Sequence, residues 1–201
     1  MTKKNKENNT NIKEHSVMRE VIGDIIMVAV VILAVFLLEK FVLLNAKIPS
    51  ESMQNTIMVG NRIFGSRLAY KEEGPERYDI VIFKYPDDES QLFIKRVIGL
   101  PGDVIDIHDG YVYVNGSAEP LTDSFCPEPG MTEEGFLSYP LTVPDNCYFM
   151  LGDNRLHSKD SRYWDNPFVK REKILAKAVL RYWPHNKTGM LKHGMDYYTN
   201  P

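Results

Sequence analysis

At 201 residues, with 43% hydrophobic and 25% charged residues, the chain is long enough for one domain with a proper core and room for a small insertion. The net charge is −3 and no block of five or more Lys/Arg occurs, which argues against nucleic acid as a partner. Cys126 and Cys147 stand at no zinc-ligand spacing and belong to no C-x-x-C motif. They are two free thiols or, in an oxidising compartment, one disulfide, and both readings stay open.

Residues 1–20 are polar, with Lys3, Lys4, Lys6, Lys13 and Arg19 against Glu7, Glu14 and Glu20. From Ile25 to Leu38 the chain is unbroken apolar, Glu39-Lys40 interrupts, and Phe41-Val42-Leu43-Leu44 resumes. The unbroken run reaches only ~21 Å as a helix, short of the ~30 Å hydrocarbon layer. Counting on to Leu44 reaches that thickness if Glu39 and Lys40 snorkel to an interface. A cleaved signal peptide would want a small-x-small site, and Asn45-Ala46-Lys47 offers one small residue. A buried soluble helix would want a polar face, which Ile25–Leu38 lacks. A transmembrane helix over 21–44 is therefore expected, anchoring the chain in the lipid of a cell membrane. The basic excess of the tail puts residues 1–20 in the cytoplasm and an extracytoplasmic domain over 45–201.

The segments after the span have strand character. Tyr78–Tyr85 is β-branched and aromatic and ends at Pro86, and Gln91–Gly99 is closed by Leu100-Pro101-Gly102-Asp103. Val104–Ile107 and Tyr111–Val114 flank a three-residue loop, His108-Asp109-Gly110, and read as a hairpin, with Asn115-Gly116 as a second turn. About 117–144 the composition shifts to Pro, Gly, Ser, Thr and acids, a loop-rich insertion before a strand at Cys147–Leu151. Residues 169–183 fit a strand pair or a short helix. The expected fold is mainly β: one N-terminal transmembrane helix, then a β-rich domain with a small insertion.

Two residues stand out chemically. Ser52, in Ile48-Pro49-Ser50-Glu51-Ser52-Met53, lies a few residues beyond the span and needs a base to become a nucleophile. Among the histidines, His15 falls in the cytoplasmic tail, His185 and His193 in a polar tail, and His108 in a hairpin loop. His157 is the one rival base, with a surface-loop role as its ordinary explanation. Lys95 lies in the apolar Phe93-Ile94-Lys95-Arg96-Val97-Ile98. If it points inward, Phe93 and Val97 share its face while Ile94, Arg96 and Ile98 take the other. Desolvation would then disfavour its ammonium and leave a neutral amine near pH 8 able to take the serine proton. An exposed strand lysine is the bland alternative.

Ile48–Met53, Lys95–Asp103 and Gly152-Asp153-Asn154-Arg155…Ser158…Asp160-Ser161-Arg162 together resemble the sequence boxes of the type I (leader) signal peptidases, in that family's order after one N-terminal span. The resemblance implies a membrane-bound serine endopeptidase removing signal peptides from exported preproteins after a small-x-small site, with no metal or organic cofactor. It implies Ser52 as nucleophile, Lys95 as general base, Ser50 with the Ser52 N–H as oxyanion hole, and Ser158 as the residue orienting Lys95. Asp160 and Arg162 would form an ion pair, with Asp153 and Arg96 as further structural charges. Ile48, Pro49, Met53, Phe93 and Ile94 would line shallow apolar pockets for the substrate. The chain departs from the family pattern at Asn55-Thr56-Ile57, where Pro-Thr-Leu is common, at Tyr78, where glycine is common, and at Leu156-His157. Two other readings compete: a self-cleaving repressor with the same dyad, and an inactive membrane-anchored β domain acting as a binding module.

Overall fold

The structure, a computed structural model, describes residues 3–122 and 124–193, with side chains described from Met18 onward within the first helix. The chain divides into two units, Met1–Val42 and Leu43–Pro201. The first is one helix, α1 (Lys3–Phe41). Its segment Met18–Phe41 has a mean hydropathy of 3.0 over its most apolar stretch and is long enough to cross a membrane. Lys40 stands in its last turn, where a cation complements the helix dipole.

The span expected to reach Leu44 stops earlier as a helix. Leu43 already opens a strand, and Leu44 is buried in the core of the second unit. Apolar character says that a residue needs cover from water, and it does not say whether lipid or protein supplies it.

The second unit is mainly β. Strands β1 (Leu43–Lys47), β2 (Arg62–Ser66), β3 (Ile80–Tyr85), β4 (Asp88–Gly99), β5 (Val104–His108) and β6 (Tyr111–Val114) come first. They are followed by β7 (Leu141–Thr142), β8 (Cys147–Leu151), β9 (Phe168–Lys170), β10 (Ile174–Trp183) and β11 (Gly189–Met190). The larger sheet runs β1-β2-β10-β3-β4-β8-β9, with β11 beside β10, and the smaller runs β6-β5-β7. Every pairing is antiparallel. Residues 169–183 thus resolve as the end of β9 and the whole of β10, joined by a 3-10 turn at Arg171–Lys173.

β4 changes character along its length. Asp88–Leu92 is exposed, while Ile94–Gly99 is buried on both faces. Phe93 and Val97 pack in one apolar cluster with Val81 and Met150, whereas Ile94 and Ile98 enter two others. Alternation therefore sets Lys95 on the Phe93/Val97 face, and its Nζ lies 5.5 Å from the centre of the Phe93 ring.

Several local expectations need correction. The β5–β6 hairpin turns through two residues, Asp109 (φ 50°) and Gly110 (φ 83°), and His108 pairs with Tyr111. Positive φ at both turn positions matches the strand twist and suits Asp-Gly. Cys126 is buried and Cys147 half-buried, and both pack in one apolar cluster. His193 does not lie in a free polar tail: its Nδ1 accepts the Ile80 N–H at 3.1 Å. Tyr78 keeps a glycine-like backbone, φ 70°, its ring meeting Phe125 edge-on at 5.7 Å.

Candidate active site

Ser52 sits in the loop joining β1 to β2. Backbone bonds close that loop, the Ile48 N–H donating to Asn61 O (3.0 Å) and the Gly60 N–H to Ile48 O (2.9 Å). Inside it, the Gln54 N–H donates to Glu51 O (2.8 Å) and the Ile57 N–H to Met53 O (2.7 Å), so residues 51–57 form tight consecutive turns. The segment after β8 clamps this turn. The Asn154 N–H donates to Ser52 O at 3.1 Å, and the Asn154 amide reaches Glu51 O at 3.4 Å. Gly152 permits the approach: a Cβ there would fall on the Ser52 carbonyl oxygen and the Ser158 side chain.

Against this turn β4 places Lys95. Its Nζ lies 2.5 Å from Ser52 Oγ, and the two residues are 4% and 5% exposed. Burial is the main cause that lowers the Lys95 pKa, to about 8. Asp160 and Asp153 pull it upward, and Arg162 adds a little to the lowering. A neutral amine on a serine hydroxyl is the arrangement of a base and its nucleophile. Ser50 Oγ is 3.4 Å from Ser52 Oγ on the exposed side of the pair.

The four charges around the pair close on themselves. Arg96 holds Asp153 in a fork, Nε to Oδ1 at 2.7 Å and Nη2 to Oδ2 at 2.6 Å, with both side chains fully buried. Arg162 does the same to Asp160, at 2.8 and 2.9 Å, and Asp160 also accepts the Gly152 N–H at 2.9 Å. Burial works to raise the Asp160 carboxyl, but the charge and hydrogen bonds of Arg162 outweigh it and hold it below the usual carboxylate range. Removing either partner of such a fork leaves an uncompensated buried charge, at a cost of about 3–5 kcal/mol.

Other expected groups are placed differently from one another. Ser158 is buried beside Gly152, yet its hydroxyl makes no hydrogen bond of proper geometry to Lys95 or any other described group, standing only near Asp160. Ile48, Met53 and Ile94 are built into the core with Ile57, Ile80 and Ile82. Phe93, half-buried and stacked on Tyr85, and Pro49, exposed, offer the apolar surface that faces water. His157 is exposed, in the short 3-10 turn Arg155–His157, and among the described residues Ser52 Oγ is hydrogen-bonded to Ser50 and Lys95 rather than to a histidine. A cavity of about 700 Å³, lined by Tyr70, Cys147 and Arg171 among others, includes none of these residues.

Three contributors escaped the sequence reading. Thr56 Oγ1 donates to Asp153 Oδ2 at 2.5 Å, tying the serine turn to the Arg96 fork. Asn154 grips the turn, as described. Arg155, also buried, donates to Gly152 O at 3.0 Å and Thr132 Oγ1 at 2.8 Å. The run Gly152–Arg155 was signal enough for the last two; nothing local in sequence points Thr56 at position 153.

Residues 19–183 match the family described as signal peptidase, peptidase S26. A probable signal peptidase I-2 of Synechocystis sp. is 41% identical over 170 residues, covering 82% of this chain and 74% of its own. A signal peptidase I of Bacillus caldolyticus is 37% identical over 163 residues, covering 77% and 87%. A crystal structure of a signal peptidase I from Enterococcus faecalis is 34% identical and covers 52% of this chain and 97% of its own, with a TM-score of 0.43. The chain belongs to the signal peptidase family, peptidase S26, whose members are serine hydrolases.

Proposed function

We propose that this signal peptidase is anchored by α1 with its N-terminus cytoplasmic, and that it cuts signal peptides from exported preproteins after a small-x-small site through a Ser52–Lys95 dyad. The observation that carries the reading is the buried amine of Lys95, 2.5 Å from Ser52 Oγ with its pKa lowered to about 8. Neutral Lys95 takes the Ser52 proton as Oγ attacks the carbonyl after the small residue. The oxyanion forms at the Ser52 N–H and the Ser50 hydroxyl, whose exposed position leaves it free to turn toward bound substrate. Lysine then protonates the leaving amine, and a water activated by the same nitrogen releases the acyl group. Ser158, buried beside the dyad and with an unspent hydroxyl, would bond the Lys95 amine and aim it when Ser52 is acylated.

Pro49 and Phe93 would meet the substrate directly, with Ile48, Met53 and Ile94 as the firm floor beneath. The substrate would lie extended, as an added strand. The experiment is cleavage of a preprotein with an Ala-x-Ala site by the detergent-solubilised chain. Wild type should cut once after the small residue, and Ser52→Ala and Lys95→Ala should not cut. Cleavage persisting in both variants would end the dyad reading, and no cleavage by wild type would favour an inactive binding domain.

A further inference from the structure

The loop-rich insertion reaches the serine turn. Asn55, three residues after Ser52, has a left-handed backbone (φ 84°), a conformation closed to the proline that the family pattern often carries there. Its side chain instead donates from Nδ2 to the Phe125 carbonyl at 3.2 Å. Phe125 is buried, and its ring lies over the Arg96 guanidinium, 4.2 Å from the ring centre to Cζ. Arg96 holds Asp153, and Asp153 accepts the Thr56 hydroxyl, back in the serine turn. The insertion therefore touches that turn by two routes, one direct and one through the buried fork. A few residues on, Thr132 accepts from Arg155, the Glu133 carbonyl accepts from Arg162 at 3.2 Å, and the Phe136 N–H donates to Arg162 O at 2.9 Å.

We infer that residues 125–136 form a positioning element for the reaction, with Asn55 and Phe125 as the positioning residues that hold the Ser52 turn against Lys95. This rests on the Ser52–Lys95 reading above. Neither residue touches the dyad; each acts through the backbone that carries Ser52. Asn55 is exposed, so its amide adds little to folding, while a small displacement of Oγ from the amine acts directly on the attack step. The effect belongs on kcat rather than on KM or thermal stability.

The test uses the full chain in detergent and the Ala-x-Ala preprotein. Asn55→Gly keeps the left-handed backbone and deletes the amide; Asn55→Asp keeps the shape and removes the donor. Both should lower kcat by about fivefold at every pH from 7 to 10, with KM within about twofold and with no shift in the rise in activity expected as Lys95 loses its proton near pH 8. Phe125→Leu should lower kcat as well, and Phe125→Tyr, which retains the ring, should restore most of it. Wild-type kcat in both Asn55 variants, or losses that merely track the folded fraction, would overturn the inference while leaving the dyad intact. Full activity in Ser52→Ala would remove the dyad and this inference together.

Discussion

Two lysines flank the same residue of the larger sheet and end in opposite situations. Val81 of β3 pairs with Lys95 on β4 and with Lys177 on β10, so the three side chains stand in one row on one face. Lys177 reaches a carboxylate, Asp79 Oδ1, at 2.6 Å and keeps about a quarter of its side chain exposed (26%). Lys95 is 4% exposed and reaches a hydroxyl. The nearest carboxylates, Asp153 and Asp160, are already taken in forks by Arg96 and Arg162. A strand supplies a lysine at either position with the same backbone. What distinguishes a structural cation from a candidate base is which neighbour has its carboxylate to spare, and how much water remains.

The sharpest way to break the comparison is to remove each lysine in turn. Lys95→Met should lower kcat/KM by about 10³-fold or more, and at pH 7 it should raise Tm by a few degrees. The sign follows from the lowered pKa: below about pH 8 folded and unfolded chains both hold the proton, and the fold carries a buried ammonium at a cost of about 3 kcal/mol. That cost is relieved as pH rises from about 8 toward the ordinary lysine value near 10.5, so the gain in Tm should fade over the same window. A lower Tm for Lys95→Met at pH 7 would contradict the picture of a strained base.

The forks come next. Arg96→Met leaves Asp153 buried without its charge partner, and Tm should fall by about 10 °C in thermal melts. Lys177→Met should cost less, on the order of 1–2 kcal/mol, because Asp79 keeps the Tyr70 hydroxyl (2.8 Å) and the Glu76 N–H (3.2 Å) as donors. It should leave the activity rise near pH 8 in place; a shifted limb in that variant would mean that the two lysines titrate as one unit.

The smallest effect at neutral pH concerns His193, whose pKa is lowered to about 4 by burial first, then by Lys177. As acceptor of the Ile80 N–H its ring is neutral. An unfolded histidine binds a proton from about pH 6.5 downward, so the fold loses stability as pH falls from 6.5 to 4. His193→Asn, which keeps an acceptor but does not titrate, should flatten that decline by about 2 kcal/mol between pH 7 and pH 4.5. Denaturant midpoints at pH 7 and pH 4.5 measure it.

Much of this was legible in the chain. The apolar N-terminal run, the strands through residues 78–114, the flanking of Lys95 by Phe93 and Val97, and Ser52 and Lys95 as candidates follow from local pattern; Asp160 and Arg162 follow only from the family resemblance. Period-two alternation and hydropathy are properties of neighbours in sequence, so sequence carries them. Long-range pairing was not legible: that β10 lies between β2 and β3, that Asn55 reaches Phe125 seventy residues on, and that His193 returns to Ile80. Tertiary structure also ended the helix at Phe41 and turned Leu44 into core, a choice of cover that hydropathy does not encode. The chain by itself determined which chemical groups were available and on which face of their strand they stood. Only the fold decided their partners, because whether an amine sheds its proton depends on the distance and desolvation of groups far away in sequence.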